Sequence, residues 1–189
     1  MKTVCHLFCL FLVVLPLWNC RGQQTVDKEI YTYKKGDPNG TGKWYMGREI
    51  AHVMGFQGMR WLERPERETE ENTTILLENM DIQPSDTIAD IGAGSGYHVF
   101  QMESLAKKGH IYAVDIQDEM LEAIQKKKER LSIPNISTVK GSSQSVNLPE
   151  NSVDKVLMVD VYHEFDYPAE MLADIKKALR PKGQVYLIE

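Results

Sequence analysis

The sequence predicts an α/β protein whose carboxyl-terminal half is a parallel sheet of five strands with helices on both faces. Three observations carry this. From Thr87 onward, short apolar runs alternate with segments of helical spacing. The first run opens into a glycine-rich loop, Asp90-Ile91-Gly92-Ala93-Gly94-Ser95-Gly96, directly ahead of a helical pattern. Aspartates Asp90, Asp115 and Asp160 fall at strand ends, where parallel sheets bind their ligands.

Each element follows from its local pattern. Residues 87–91 are an apolar run that stops at the glycine loop. Val99, Met102 and Ala106 recur at helical spacing, and Gly109 ends that helix. Residues 111–114 form the second strand, closed by Asp115. Residues 119–131 predict a helix with Leu121, Ile124 and Leu131 inward. Residues 136–139 and 155–159 are the third and fourth strands. Pro168 suits a helix start, with Leu172, Ile175 and Leu179 on one side. Pro181-Lys182-Gly183 then turns the chain into a fifth strand, 184–188.

The segment ahead of the sheet divides into three. Lys2 precedes an almost wholly apolar run over 7–17, too short for a comfortable membrane span and shaped like a secretory signal. Leu17-Trp18-Asn19-Cys20 resembles a bacterial lipoprotein signal. Residues 1–20 are therefore expected to be a signal peptide or lipoprotein signal, with lipidated Cys20 attaching an exported protein to the cell envelope. An uncleaved anchor and a cytoplasmic protein with an apolar start are the alternatives. Cys5, Cys9 and Cys20 are the only cysteines, so the folded part holds no disulfide, thiolate zinc site or cysteine nucleophile. Residues 21–43 predict a linker, with a strong loop signal over 36–42. Residues 44–84 predict a helical cover. Met46, Ile50, Val53 and Met54 share one stripe before Gly55 and Gly58 break it. A second run begins near Pro65, with early acids Glu66, Glu68, Glu70 and Glu71 and an apolar side of Thr73, Leu76, Leu77 and Met80.

At 189 residues and 42% apolar composition, the chain can bury a real core. A net charge of -5 without a concentrated basic face argues against a nucleic-acid partner. Lys126-Lys127-Lys128 sits in a helical pattern as a solvated face.

The glycine loop carries the first chemistry. Glycines there let the backbone turn sharply and approach a ligand that a Cβ would push away. The dinucleotide spacing Gly-x-Gly-x-x-Gly is not met: its last position falls on Tyr97 counted from Gly92, and on Val99 counted from Gly94. Asp115, one strand later, can accept hydrogen bonds from both ribose hydroxyls of a nucleoside. Ile116 beside it is placed to pack on a base, or else belongs to the core.

Residues 87–188 resemble the class I S-adenosylmethionine-dependent methyltransferases. The supporting stretches are Ala89 to Gly96, Ala113-Val114-Asp115, Leu148-Pro149-Glu150-Asn151-Ser152-Val153-Asp154 and Leu179-Arg180-Pro181-Lys182-Gly183. The resemblance implies a Rossmann-like doubly wound sheet of strand order 3-2-1-4-5 over residues 85–189, with S-adenosyl-L-methionine as cofactor. It implies that Asp90, Gly92, Ala93, Gly94 and Gly96 surround the methionine part and that Asp115 holds the ribose. The family often places an acid after the third strand, near the adenine amino group. Gly141-Ser142-Ser143 occupies that place here, leaving Ser142, Ser143 or a backbone carbonyl to serve.

The fourth strand runs into Asp160-Val161-Tyr162-His163-Glu164-Phe165-Asp166, which the resemblance turns toward the transferred methyl group. Methyl transfer needs a base only where the acceptor must lose a proton. His163 is the candidate base, because imidazole titrates near neutral pH. Tyr162 and Asp160 are candidates to orient the acceptor, and Asp160 also faces the cofactor. The competing reading has His163 capping or packing beneath the loop. A metal site of His163, Glu164 and Asp166 ranks below both, so no metal is expected. Trp44, Tyr45, Arg48, Arg60 and Trp61 suit a lid over the cleft.

The class normally continues past its fifth strand into a helix and an antiparallel hairpin, and here the sequence reaches Glu189. A fragment is the favoured explanation. A homodimer covering the exposed strand and a degenerate domain are the others. The leading expectation is methyl transfer to a small-molecule acceptor by in-line displacement. A non-catalytic nucleoside-binding module of the envelope is the second reading, and an NAD-dependent oxidoreductase the third.

Overall fold

The computed structural model describes residues 30–189; the leader expected over 1–20, with its three cysteines, lies outside the described residues. The chain first forms a small antiparallel sheet, β1 (Tyr31–Tyr33), β2 (Gly40–Tyr45) and β3 (Arg48–Ala51). β1 and most of β2 therefore fall within the linker expected over 21–43, and the helix expected over 44–54 is a hairpin. Tyr45 pairs with Arg48, leaving a two-residue turn in which Met46 and Gly47 both take positive φ, 48° and 85°. Such a turn matches the twist of paired strands and cannot sit inside a helix. The apparent stripe was a coincidence of spacing: Ile50 is buried, while Met46 is 86% exposed.

Three short helices follow, α1 (Met59–Leu62), α2 (Arg67–Glu71) and α3 (Thr73–Asn79). The run expected from Pro65 is split at Asn72, whose left-handed φ of 50° ends α2. Thr73, Leu77 and Met80 are buried as their spacing predicts.

The main sheet comprises β4 (Thr87–Ile91), β5 (His110–Asp115), β6 (Ile136–Lys140), β7 (Val153–Val159) and β8 (Leu179–Ile188). All neighbours pair in parallel, in the spatial order β6-β5-β4-β7-β8. Helices α4 (Tyr97–Leu105), α5 (Asp118–Arg130) and α6 (Pro168–Ala178) connect them. Alternate strand residues feed two cores. Ile88, Ile111, Ile136 and Leu157 pack with Val99, Met102 and Ile124 of α4 and α5. Ala89, Val114, Val156 and Met158 pack with Met171 and Ile175 of α6. The winding reverses between β4 and β7, the point where such sheets open a crevice at their carboxyl ends. Two inward expectations are corrected: Leu131, past the end of α5, is 51% exposed, and Met171 rather than Leu172 faces the core of α6. The turn expected at Pro181-Lys182-Gly183 persists as an irregularity within β8, where Lys182 has φ 72° and the register shifts.

The small sheet is fastened to the loop after β7. Lys43, only 4% exposed, places its ammonium 3.0 Å from Asp166 Oδ1 and 3.4 Å from the centre of the Tyr167 ring. Arg48 donates to the carbonyls of His163 and Tyr162, at 3.1 and 3.4 Å. The Tyr31 hydroxyl donates to Glu170 on α6. Removing the cation while keeping the stem, Lys43→Met, is expected to cost about 1–2 kcal/mol in urea unfolding and to raise amide exchange across β1–β3. Unchanged exchange there would show that the ammonium does not hold the sheet in place.

Candidate functional site

At the carboxyl end of β4 the chain turns through Gly92 and Gly94 into α4. Gly92 has φ 73°, and a Cβ there would run into the Val161 side chain beyond β7; only glycine lets the two strand ends close together. Gly96, φ 82°, has a different role. A Cβ would sit 2.9 Å from Ile124 and 3.0 Å from Phe100, so this glycine seats α4 against α5. It does not line the cleft, unlike Gly92 and Gly94. Four of the loop's N–H groups are used internally. Those of Gly92 and Ala93 donate to the Val114 carbonyl at 2.9 and 3.0 Å, and that of Gly96 to the Ala93 carbonyl at 2.8 Å. The Gly94 N–H donates to Asp115 Oδ2 at 2.9 Å.

This loop forms one wall of a cleft of about 400 Å³. Asp90, Gly92, Ala93, Gly94, Asp115, Ile116, Ser142, Ser143, Asp160 and His163 all line it. Asp115 is 6% exposed. Its second oxygen accepts the Gln117 N–H at 2.9 Å. Burial holds its carboxyl above the ordinary range, against the opposing pull of those backbone donors. Asp90 is buried more deeply, and burial pushes its carboxyl up to about 7, opposed by the Arg67 charge. Its Oδ2 has no hydrogen-bond partner. A buried acid with an unsatisfied oxygen facing a cavity is built to meet a donor supplied from outside.

Three residues at this end were not singled out from the sequence. Arg67 is buried on α2. Its Nε donates to Glu71 at 2.7 Å and one terminal nitrogen to the Leu62 carbonyl at 2.9 Å, while the guanidinium lies 4.3 Å from the centre of the Tyr97 ring. His98, at the start of α4, is buried, and desolvation with the nearby Arg67 charge pushes its imidazole down to about 4; it is neutral at physiological pH. Both line the cleft. Nothing in the sequence separates Arg67 from Arg60 or Arg64. His98 stands two residues past the loop, which was the available signal. The third is Gln117. Its side-chain oxygen accepts the Phe56 N–H at 2.8 Å, and its amide donates to the Met54 carbonyl at 3.0 Å. It thereby clips the cover onto the end of β5. Val53, Met54, Trp61 and Leu62 of that cover line the cleft mouth.

At the base end, Ile116 is 42% exposed beside the cleft rather than in the core. The Ser142 hydroxyl oxygen accepts the Ser145 N–H at 3.0 Å, closing a local turn. At the far end lies the loop after β7. Asp160 takes a left-handed φ of 49°. His163 Nδ1 is 2.6 Å from Glu189 Oε2. Glu164, raised by burial, accepts the Met54 N–H at 3.0 Å. Tyr162 is not brought to the cleft. Its ring packs beneath the Arg48 guanidinium, 5.0 Å away, and against Phe165.

Comparison with known proteins agrees with this geometry. A family model described as a methyltransferase domain matches residues 89–187; the chain belongs to this methyltransferase family. A Bacillus subtilis protein, an uncharacterized methyltransferase, is 27% identical over 117 residues, spanning 60% of this chain and 63% of its own length. An uncharacterized methyltransferase of Schizosaccharomyces pombe is 33% identical over 116 residues, 61% of this chain and 43% of its own. The chain thus spans less than two thirds of these relatives. The crystal structure of an S-adenosylmethionine-dependent methyltransferase from Aquifex aeolicus superposes with a TM-score of 0.65 at 25% identity, covering 68% of this chain and 69% of that one. S-adenosyl-L-methionine is the cofactor of this family.

Asp90 generates a pH prediction. Its carboxyl is near 7 in the folded chain and about 3.9 when unfolded. Between those values the native state keeps a proton that the unfolded state has lost, so stability falls as pH rises from about 4 to about 7. Without ligand, Asp90→Asn is expected to gain about 2–4 kcal/mol on the wild type between pH 5 and pH 8. Calorimetric melting of both proteins across that range measures it; a constant difference contradicts it.

Proposed function

We propose that this cleft binds S-adenosyl-L-methionine and that the chain methylates a small-molecule acceptor. The observation that carries the reading is the unpartnered Oδ2 of buried Asp90 in the same cleft as the buried carboxyl of Asp115, beside a glycine loop. The dinucleotide glycine spacing is absent, its last position falling on Tyr97 counted from Gly92 and on Val99 counted from Gly94. A ligand with a ribose and an ammonium suits the two carboxyls.

In this reading Asp115 accepts from the ribose hydroxyls, with Ile116 and the 141–143 backbone beside the adenine. Asp90 Oδ2 receives the ammonium it lacks a partner for. Arg67, braced by Glu71 and Tyr97, takes the carboxylate, with neutral His98 adding no competing charge. When bound, the cofactor supplies an electrophilic methyl group on a sulfonium. The chain's part is positioning and water exclusion. Gln117 holds the cover closed at Met54 and Phe56, and the apolar side chains of Val53, Trp61 and Leu62 form a dry mouth. Asp160 and His163 border the space left for the acceptor. The cover's small apolar mouth and the acidic lining support a small molecule over a nucleic acid.

Titration calorimetry of the full chain with S-adenosylhomocysteine is expected to show micromolar binding. Asp115→Ala should weaken it at least tenfold, about 1.4 kcal/mol or more, and Arg67→Ala should weaken it as well. NAD should not bind. A folded chain that ignores S-adenosylhomocysteine, or an Asp115→Ala variant of equal affinity, overturns the proposal.

A further inference from the structure

The ring of His163 is held from one side only. Its Nδ1 lies 2.6 Å from Glu189 Oε2, at the end of β8. The other Glu189 oxygen accepts the Tyr162 N–H at 2.9 Å, which fixes the carboxylate against the backbone. Arg48, from β3, donates to the His163 carbonyl at 3.1 Å and fixes the backbone from the opposite face. The ring borders the cleft, and its Nε2 makes no hydrogen bond among the described residues. The nearest carboxylate to Nε2, Glu164 Oε1, is 4.0 Å away and is occupied by the Met54 N–H. A carboxylate accepts only, so the bond to Glu189 requires a proton on Nδ1, and in the neutral ring the lone pair is then on Nε2.

We infer that Glu189 is a positioning residue that fixes His163 as a general base, with Nε2 receiving a proton from the acceptor; this rests on the methyltransferase reading above. The acceptor class follows. Asp160 and Glu164 line this end of the cleft and Glu189 backs the ring, while the nearby cation, Arg48, is directed at carbonyls. An acceptor that is already an anion is repelled there. The fitting acceptor carries a proton on its nucleophilic atom, as a neutral hydroxyl or an ammonium does. As the reaction proceeds, that proton moves to Nε2 and the acceptor's lone pair forms the bond to the methyl carbon. The carbon–sulfur bond breaks with its electron pair remaining on sulfur. The imidazolium so formed is balanced by Glu189 and returns its proton to water through its partly exposed edge.

The test is nitrogen NMR of the full chain labelled at histidine, above pH 8, where a free imidazole is neutral. His163 is expected as the Nδ1–H form in the wild type and in Glu189→Gln, whose side-chain carbonyl still accepts that proton. In Glu189→Ala the preference for Nδ1–H should be lost. S-adenosylhomocysteine affinity should stay within twofold in Glu189→Ala and His163→Gln, and on any acceptor turned over His163→Gln should lower kcat by about 10²–10⁴. An Nε2–H form in the wild type, a tautomer indifferent to Glu189→Ala, or turnover indifferent to His163→Gln overturns the inference. Failure of the cofactor to bind the wild type would instead sink the methyltransferase reading beneath it.

Discussion

One carboxylate organises the cleft. Asp115 closes β5 with its side chain almost fully buried, and its two oxygens tie down two different segments, the Gly94 N–H of the loop after β4 and the Gln117 N–H that opens α5. Gln117, held there, reaches across to the Met54 carbonyl and the Phe56 N–H. A single strand end thus sets the shape of the glycine loop, the start of the next helix and the position of the cover. This is a strong constraint because the alternatives are expensive: a buried carboxylate without donors costs several kcal/mol.

The same economy governs charge. Asp90 and Asp115 are buried within one cleft, and Arg67 is the buried cation beside them. Four ionisable groups in a low-dielectric wall, His98 among them, do not stay fully charged without partners. Asp90 answers by moving toward neutrality and His98 by staying uncharged. Of the buried polar atoms left without a partner, Asp90 Oδ2 is the one on a cleft-lining residue. In the proposed reading, a ligand that brings an ammonium beside a ribose completes the balance.

The parallel sheet and the cofactor wall were legible in the sequence because their signals are contiguous. Apolar runs, a glycine loop and a terminal aspartate follow one another within thirty residues, from Thr87 to Asp115. The small antiparallel sheet was not legible. Its turn is Met46-Gly47 rather than the asparagine–glycine or aspartate–glycine pair that usually announces a hairpin, and Ile50 and Met54 happened to fit a helical stripe. Arg67, Gln117 and Glu189 were hidden for another reason. Each is placed only through a partner distant in the chain: Asp90 and Tyr97 for Arg67, Met54 and Phe56 for Gln117, His163 for Glu189. Tyr162 sits beside His163 in sequence, yet the tight turn after β7 packs its ring beneath Arg48 and against the core at Phe165.

In the proposed function Asp115 and Asp90 read the two ends of one nucleoside-bearing ligand. A crystal structure of the chain with S-adenosylhomocysteine is the decisive measurement. It is expected to show ribose hydroxyls on Asp115, the amino group at Asp90 Oδ2 and the carboxylate at Arg67, beneath a cover still clipped by Gln117. A ligand bound elsewhere, or lying reversed with its amino-acid end at Asp115, would contradict it.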